Sequence, residues 1–214
     1  ATRWIKLIPK QGSDQIMALL HSGAGQSGNL LAVLWNGTDF NISTAINLST
    51  ATSGTTVQHF DFAWESNSGD GIAAYPSGTT WAKRNFTASS GTWSAAETED
   101  VGNAINGMRL CADPNSDYIG IIFQDGGADV NARIWNGSRI LAGSPTQDAN
   151  TEPEGANNVN VDCAWNTNNA GIALFGFIPV NGLNMSFVTF TQAHESWSTG
   201  SLLTPPSPPT FASH

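Results

Sequence analysis

Charge is scarce in this sequence. Only 12% of its 214 residues are Asp, Glu, Lys or Arg, about half the usual share. The 17 acidic residues outnumber the 8 basic ones, for a net charge of −9. Phosphate recognition needs clustered Lys and Arg, so a nucleic-acid partner is excluded. No apolar run approaches the roughly 18 residues needed to cross a bilayer, so no membrane span is expected. No stretch joins a 3.6-residue apolar period to a cap, so helix should be almost absent. The 22 Gly residues have no three-residue period, which excludes collagen.

Recognisable chemistry is also missing. The four His residues, His21, His59, His194 and His214, are not spaced as zinc ligands, which must converge in threes or fours. There is no Gly-x-Ser-x-Gly nucleophile turn and no phosphate-cradling Gly-rich loop. Five Arg residues are too few for the arginine cluster that an acidic sugar would require. Carboxylates are mostly single and recur in hairpins, unlike the paired acids of a glycosidase. No cofactor is expected. Calcium is the candidate metal, with Asp125-Gly126-Gly127-Ala128-Asp129 as the nearest cluster of oxygen ligands, although a Gly-rich hairpin explains that segment more simply.

What the chain does have is Ser, Thr, Asn and Gly, which fill 83 of its positions, together with eight Trp and ten Phe. At 40% hydrophobic it is too apolar for a disordered chain. The Trp residues mark an internal repeat. Leu34-Trp35-Asn36-Gly37 answers Ile134-Trp135-Asn136-Gly137 at an offset of 100. Asp61-Phe62-Ala63-Trp64 answers Asp162-Cys163-Ala164-Trp165 at 101, and Thr92-Trp93-Ser94 answers Ser196-Trp197-Ser198. Polar hairpins recur at Gly12-Ser13-Asp14, Asn67-Ser68-Gly69-Asp70, Asn115-Ser116-Asp117 and Thr167-Asn168-Asn169. Short apolar runs follow them at 15–20, 71–75, 118–123 and 171–177, with the length and composition of strands buried on both faces. Residues 130–135 alternate as a half-exposed strand does.

These spacings predict an all-β, β-propeller-like domain over residues 1–203, with four tandem units of about 50 residues at approximately 3–54, 55–105, 106–157 and 158–203. A duplicated β-sandwich is the alternative. Residues 204–214, with four Pro in succession around Ser207, read as an extended arm. Four Asn-Gly pairs, beginning at Asn36, Asn106, Asn136 and Asn181, suggest two-residue hairpin turns. Asp14, Asp70 and Asp117 share one repeat position and read as turn caps.

The Trp-Asn-Gly turns and the Ser68-Gly69-Asp70 and Asn115-Ser116-Asp117 hairpins resemble those of microbial surface proteins built from tandem units. That resemblance implies an extracellular β-propeller-like domain, sometimes joined to a pilin-like anchor. It brings no catalytic residues with it.

Candidate site residues follow from the repeat. Cys111 and Cys163 occupy matching positions in consecutive units, 52 residues apart. They are either a disulfide across the seam between units or two buried thiols. Asn36, Asn41, Asn47, Asn85, Asn136 and Asn184 head Asn-x-Ser/Thr sequons, which permit N-glycosylation. The six paired Trp residues suit the core, leaving Trp4 and Trp81 as candidates to stack on a glycan. The leading functional expectation is a non-enzymatic structural or adhesive protein of the extracellular surface, self-associating or meeting other surface proteins, with a filament subunit as its sharpest form. A lectin-like glycan-binding module is the alternative, and a glycoside hydrolase comes behind it.

Overall fold

The computed structural model describes residues 2–22, 28–49, 58–127, 129–141, 146–147, 160–168, 171–178 and 185–203. They form four antiparallel sheets in chain order. The first holds β1 (Thr2–Pro9), β2 (Ile16–Ser22), β3 (Leu30–Trp35) and β4 (Phe40–Ser49). In the second are β5 (Asp61–Trp64), β6 (Gly71–Ser77), β7 (Thr80–Thr87) and β8 (Thr92–Trp93), with β9 (Glu97–Asp100) paired on β7. The third contains β10 (Ile105–Ala112), β11 (Ile119–Asp125), β12 (Val130–Trp135) and β13 (Thr146–Gln147). The fourth contains β14 (Val161–Trp165), β15 (Ile172–Phe177), β16 (Met185–Thr191) and β17 (Ser196–Trp197), with β18 (Ser201–Leu203) also on β16. One 3-10 turn, Gln192–His194, is the sole helical segment among the described residues.

Each sheet is an up-and-down meander, as expected where short hairpins join neighbouring strands. The sheets then stack face to face in sequence, β1 and β2 on β5, β5 and β6 on β10, and β10 and β11 on β14. No contact of similar extent returns from the fourth sheet to the first among the described residues. A sandwich would have two sheets around one core. Here three separate cores fill the three seams between four sheets, which is the propeller-like arrangement. The Pro-rich segment 204–214 and the Asn181 turn lie outside the described residues.

The second strand of each sheet explains the stacking. Along β6, Ala73 and Tyr75 enter the first seam, whereas Ile72 and Ala74 enter the second. On β11, Ile119, Ile121 and Phe123 face the second seam and Ile122 the third. A strand apolar on both sides must be covered on both sides, and each large side chain so buried stabilises by about 1.5–3 kcal/mol.

The first and third seams are copies of each other. Trp64 donates its indole N–H to the Ile8 carbonyl at 3.0 Å, and Trp165 donates to the Cys111 carbonyl at 2.9 Å. Phe86 packs on Trp64 and on Trp93 as Phe190 packs on Trp165 and on Trp197. Hairpin registers make Pro9, Trp64, Ala112 and Trp165 equivalent, since each closes its hairpin against Ile16, Gly71, Ile119 and Ala173 respectively. Ile8 and Phe62, like Cys111 and Cys163, are therefore seam partners from opposing faces and do not share one blade position. In the register common to all four units, Phe62 and Cys163 stand one place before Ile8 and Cys111.

That one-place offset puts the two cysteines on facing sides of the third seam and brings them together. Cys111 and Cys163 form a disulfide, with Cα atoms 5.8 Å apart, where Ile8 packs with the Phe62 cluster in the first seam.

Two turn expectations change. Asn36 and Asn136 open four-residue loops, 36–39 and 136–139, closed by backbone bonds from Asn36 N to Asp39 O and from Asn136 N to Arg139 O, each 3.1 Å. Their side-chain Oδ1 atoms accept the N–H groups two and three residues on. Gly37 and Gly137 have φ of +100° and +88°, and a Cβ on either would lie 2.9 or 3.0 Å from the Cβ of Asp14 or Asp117. Glycine is required there by both conformation and space. Asn106 lies within β10 beside a bulge and makes no turn. The hairpin Asp residues do not cap their own turns either. Ser13, Ser68 and Ser116 do so, accepting N–H bonds from Gln15, Asp70 and Tyr118. Asp117 reaches across the second seam to the Asn67 and Ser68 N–H groups, at 2.8 and 3.0 Å.

At the inner strands, Asp61 is 1% exposed and joins three sheets. It meets Lys6 at 2.6 Å and accepts the Leu110 N–H at 3.0 Å. Burial pushes its carboxyl above the usual range despite Lys6 and the backbone donors. Removing one partner of a buried pair leaves an uncompensated charge, so Lys6→Met should cost about 3–5 kcal/mol at neutral pH. Because protonation of Asp61 removes that charge, the cost should shrink in acid. Urea unfolding at neutral and acidic pH measures both effects, and an equal loss at each would contradict the account.

Closing a loop of the length between Cys111 and Cys163 should stabilise by about 4 kcal/mol in the chain-entropy model. Reduction should therefore slow the band on a non-reducing gel and lower the urea midpoint, and no change in either would argue against the bridge in solution.

Candidate functional site

The second seam is set apart by two ion pairs near its outer edge, Lys83 with Glu97 and Arg133 with Glu99. Successive residues of β7 point to opposite faces. Ala82 and Phe86 therefore join the first core, whereas Trp81 and Lys83 point at the third sheet. β9 adds its own side chains in register, with Glu99 opposite Trp81 and Glu97 opposite Lys83. β12 supplies Arg133 and Trp135 from across the seam. With Thr98 and Ile140, these β7 and β9 residues line a cleft of about 170 Å³, on the scale of one small ring rather than a drug-sized ligand.

Every charge in the cleft is paired. Lys83, 2% exposed, meets Glu97 at 2.8 Å, donates to Asn85 at 3.2 Å and lies over the Trp135 ring at 4.3 Å. Arg133 grips Glu99 through Nη2 at 2.6 Å and through Nε at 3.2 Å to both oxygens. Such a fork fixes direction as well as charge. The Trp81 indole N–H donates to Glu99 at 3.1 Å, and the Trp135 N–H donates to Glu65 at 2.6 Å. Burial acts to raise the Glu99 carboxyl, but Arg133 and the Trp81 N–H outweigh it and hold that group below the usual carboxylate range. Glu65 moves the other way, because burial dominates over its bonds from Ser68 and Trp135.

The two cations are the inner layer and the two carboxylates the outer one. Lys83 and Arg133 side chains are 3% and 12% exposed, against 63% and 43% for Glu97 and Glu99. A ligand entering from solvent meets fixed carboxylate acceptors first, backed by ammonium and guanidinium donors, at balanced charge. That arrangement suits a neutral molecule carrying several hydroxyl groups, each able to donate and accept.

Solved structures match this fold along almost its whole length. The SapL1 lectin in complex with alpha methyl fucoside matches with a TM-score of 0.59 and 13% identity, over 94% of this chain and 65% of its own. The Aleuria aurantia lectin, described as a six-bladed β-propeller with a novel fucose recognition mode, matches at 0.53 and 12%, over 94% and 62%. The chain shares its fold with β-propeller lectins. It spans less than two thirds of the length of either lectin. NanB with Optactamide also matches, at a TM-score of 0.55 and 9% identity, over 95% of this chain and 52% of its own. No protein-family model matches the sequence, and no curated protein does.

Of the residues singled out from the sequence, Trp81 lines this cleft and the others lie elsewhere in the fold or outside the described residues. Trp81 is 3% exposed, with its ring 5.9 Å from that of Phe123 and its N–H held by Glu99. It forms the floor of the cleft instead of the open stacking platform expected of it. Trp4 is partly buried and packs on the core of the first seam. Of the Trp residues read as core, Trp64, Trp135 and Trp165 are buried, and Trp93 and Trp197 pack on cores from their edges. Trp35 is only half-buried, against Phe40 on the outer side of the first sheet.

Asn36 and Asn47 are exposed, and Asn41, Asn85 and Asn136 half-buried. Asn85 also accepts from Lys83, and Asn184 lies outside the described residues. At the calcium candidate, Asp125 is buried and its Oδ1 accepts the Gly127 and Asp129 N–H groups at 2.8 and 3.3 Å; Ala128 lies outside the described residues. No three His, Cys, Asp or Glu converge as metal ligands among the described residues.

Glu97, Glu99, Lys83 and Arg133 were not singled out by sequence reasoning. Glu97-Thr98-Glu99-Asp100 reads as an exposed acidic run between units. Its period-2 alternation beside Lys83 is the one signal that marks β9 as an added strand sharing a face with β7.

Glu99 supplies a test of the cleft. With its pKa lowered on folding, it stabilises the native state above the ordinary carboxylate pKa, and that contribution is lost as pH falls through the lowered value. Glu99→Gln should therefore reduce stability at neutral pH and flatten the acid side of the stability profile. Thermal melts from neutral to strongly acidic pH would show this, and parallel curves for the two proteins would refute it.

Proposed function

We propose that the chain is a non-enzymatic, lectin-like glycan-binding module, and that the cleft of the second seam takes one neutral sugar residue. The observation that carries this reading is the layered cleft itself, where exposed Glu97 and Glu99 oxygens are oriented by buried Lys83 and Arg133. The fold shared with β-propeller lectins supports it. Hydroxyl groups of the sugar donate to the two carboxylates and accept from the Lys83 ammonium, while Ile140 and the edge of Trp81 cover its apolar side. Buried, hydrogen-bonded charges bind such a ligand with little reorganisation, because their geometry is fixed before it arrives. Glu99, kept ionised by Arg133, is a poor proton donor, which weighs against glycosidase chemistry at this cleft. The disulfide suits an oxidising, extracellular setting, where glycans are displayed.

A glycan array with the intact chain, followed by calorimetry on the best ligand, tests the proposal. Glu97→Gln and Lys83→Met should each weaken binding at least about tenfold, as expected when a charge-assisted bond worth about 1.5–3 kcal/mol is lost. No binding to neutral glycans would sink the reading. Binding untouched by both substitutions would remove this cleft from it.

A further inference from the structure

The two outermost sheet faces of the stack are apolar, and each exposes large side chains. On the first sheet, the face turned away from the second carries two cross-strand rows, Ile5–Leu20–Leu31 and Leu7–Ala18–Val33. Ile5 and Leu7 are each 59% exposed and Leu31 37%, whereas Leu20 is half-buried and Ala18 and Val33 are buried. On the fourth sheet, the face turned away from the third carries Leu174 and Ile178, 40% and 50% exposed, and Phe187 opposite Gly176.

Register shows what these faces are. Because Pro9 corresponds to Ala112, Ile5 and Leu7 occupy the places of Met108 and Leu110 on the third sheet. Because Ala173 corresponds to Gly71, Leu174 occupies the place of Ile72 on the second sheet. Met108 and Ile72 are both 0% exposed, as they meet in the second seam. The two outer faces thus correspond to the two halves of a seam of that same type.

We infer that the fourth sheet of one copy of this chain docks on the first sheet of a second copy, rebuilding the second seam between molecules. Three features match the two faces to each other. Lys83 of the closed seam is replaced by Phe187 on the fourth sheet, and Arg133 by Val33 on the first, so both faces exchange charge for apolar surface at the corresponding places. The buried Asp61 is answered by Asp162, which is exposed. Asp61 accepts its neighbour's N–H, from Phe62 at 2.7 Å, and Asp162 does the same with Cys163 at 2.9 Å. Asp61 also takes the N–H of Leu110 across the seam, and the residue in that place on the first sheet is Leu7. Asp162 of one copy therefore caps Leu7 of the next.

The contact is head-to-tail, so it closes into a ring if the rotation between copies permits and extends as a filament if it does not. It is independent of the sugar cleft, which lies wholly within one copy.

Light scattering and sedimentation of the intact chain over a wide concentration range test it. The wild type should assemble as concentration rises. Leu7→Asp and Leu174→Asp each place a charge in the contact and should weaken assembly by at least about a hundredfold. Both side chains are exposed in the single copy, so unchanged circular dichroism and melting will show that each variant folds. The decisive step is mixing. Leu7→Asp keeps a sound fourth-sheet face and Leu174→Asp a sound first-sheet face, so equimolar mixing should yield 1:1 dimers that grow no further. A wild type that stays monomeric throughout, as it would if other sheets normally cover these faces, overturns the inference. Wild-type-like assembly of either variant, or a mixture that gives no dimer, does so as well.

Discussion

A β-strand with large apolar side chains on both faces cannot lie at the surface of a two-layer structure, and this chain has such strands in series. Ile72 and Ala74 look one way from β6 while Ala73 and Tyr75 look the other. On β11, Ile119, Ile121 and Phe123 are set against Ile122 in the same manner. Neither sheet can be stable alone, nor can one partner satisfy it. Stacking in series is the response, and the positions of the inner strands, the seams and the cleft all follow from it.

Within that stack, seams of two kinds alternate. The first and third are aromatic, each built around a Trp whose N–H reaches a carbonyl on the first strand of the preceding sheet. The second is mixed, with aliphatic packing near the inner strands and the Lys83, Arg133, Glu97 and Glu99 pairs farther out. Burying those cations is costly unless their partners are fixed. The Arg133 fork, the Trp81 N–H and the ring of Trp135 beneath Lys83 provide that fixing. A set of charges held so firmly for stability is also preorganised for a ligand, so packing and recognition rest on the same residues.

Much of the fold was legible in the sequence. The four apolar runs after the polar hairpins became β2, β6, β11 and β15, and residues 130–135 became β12 with those bounds. The Trp pairs located the duplication, since a bulky residue in a repeated seam recurs wherever the seam does. The face assignment was less accessible. Reading Cys111 and Cys163 as matching positions was natural from hairpin spacing, yet in the register common to the units Cys163 corresponds to Leu110, one residue before Cys111. In a strand, one residue is the difference between the two faces. That one-residue offset turns apparent equivalents into seam partners.

The sequence by itself determined that the protein is all-β, that its Trp motifs recur about 100 residues apart, and where its polar hairpins fall. These properties are local, set by side-chain period and turn chemistry within a few residues. Only the tertiary structure decided that Trp81 is buried, that Glu99 meets Arg133 from another sheet, and that Asp117 caps the neighbouring hairpin instead of its own. Such contacts join residues far apart in the chain whose proximity depends on which face of each sheet meets the next. No local pattern carries that information, because face-to-face stacking is fixed by the summed burial of whole sheets.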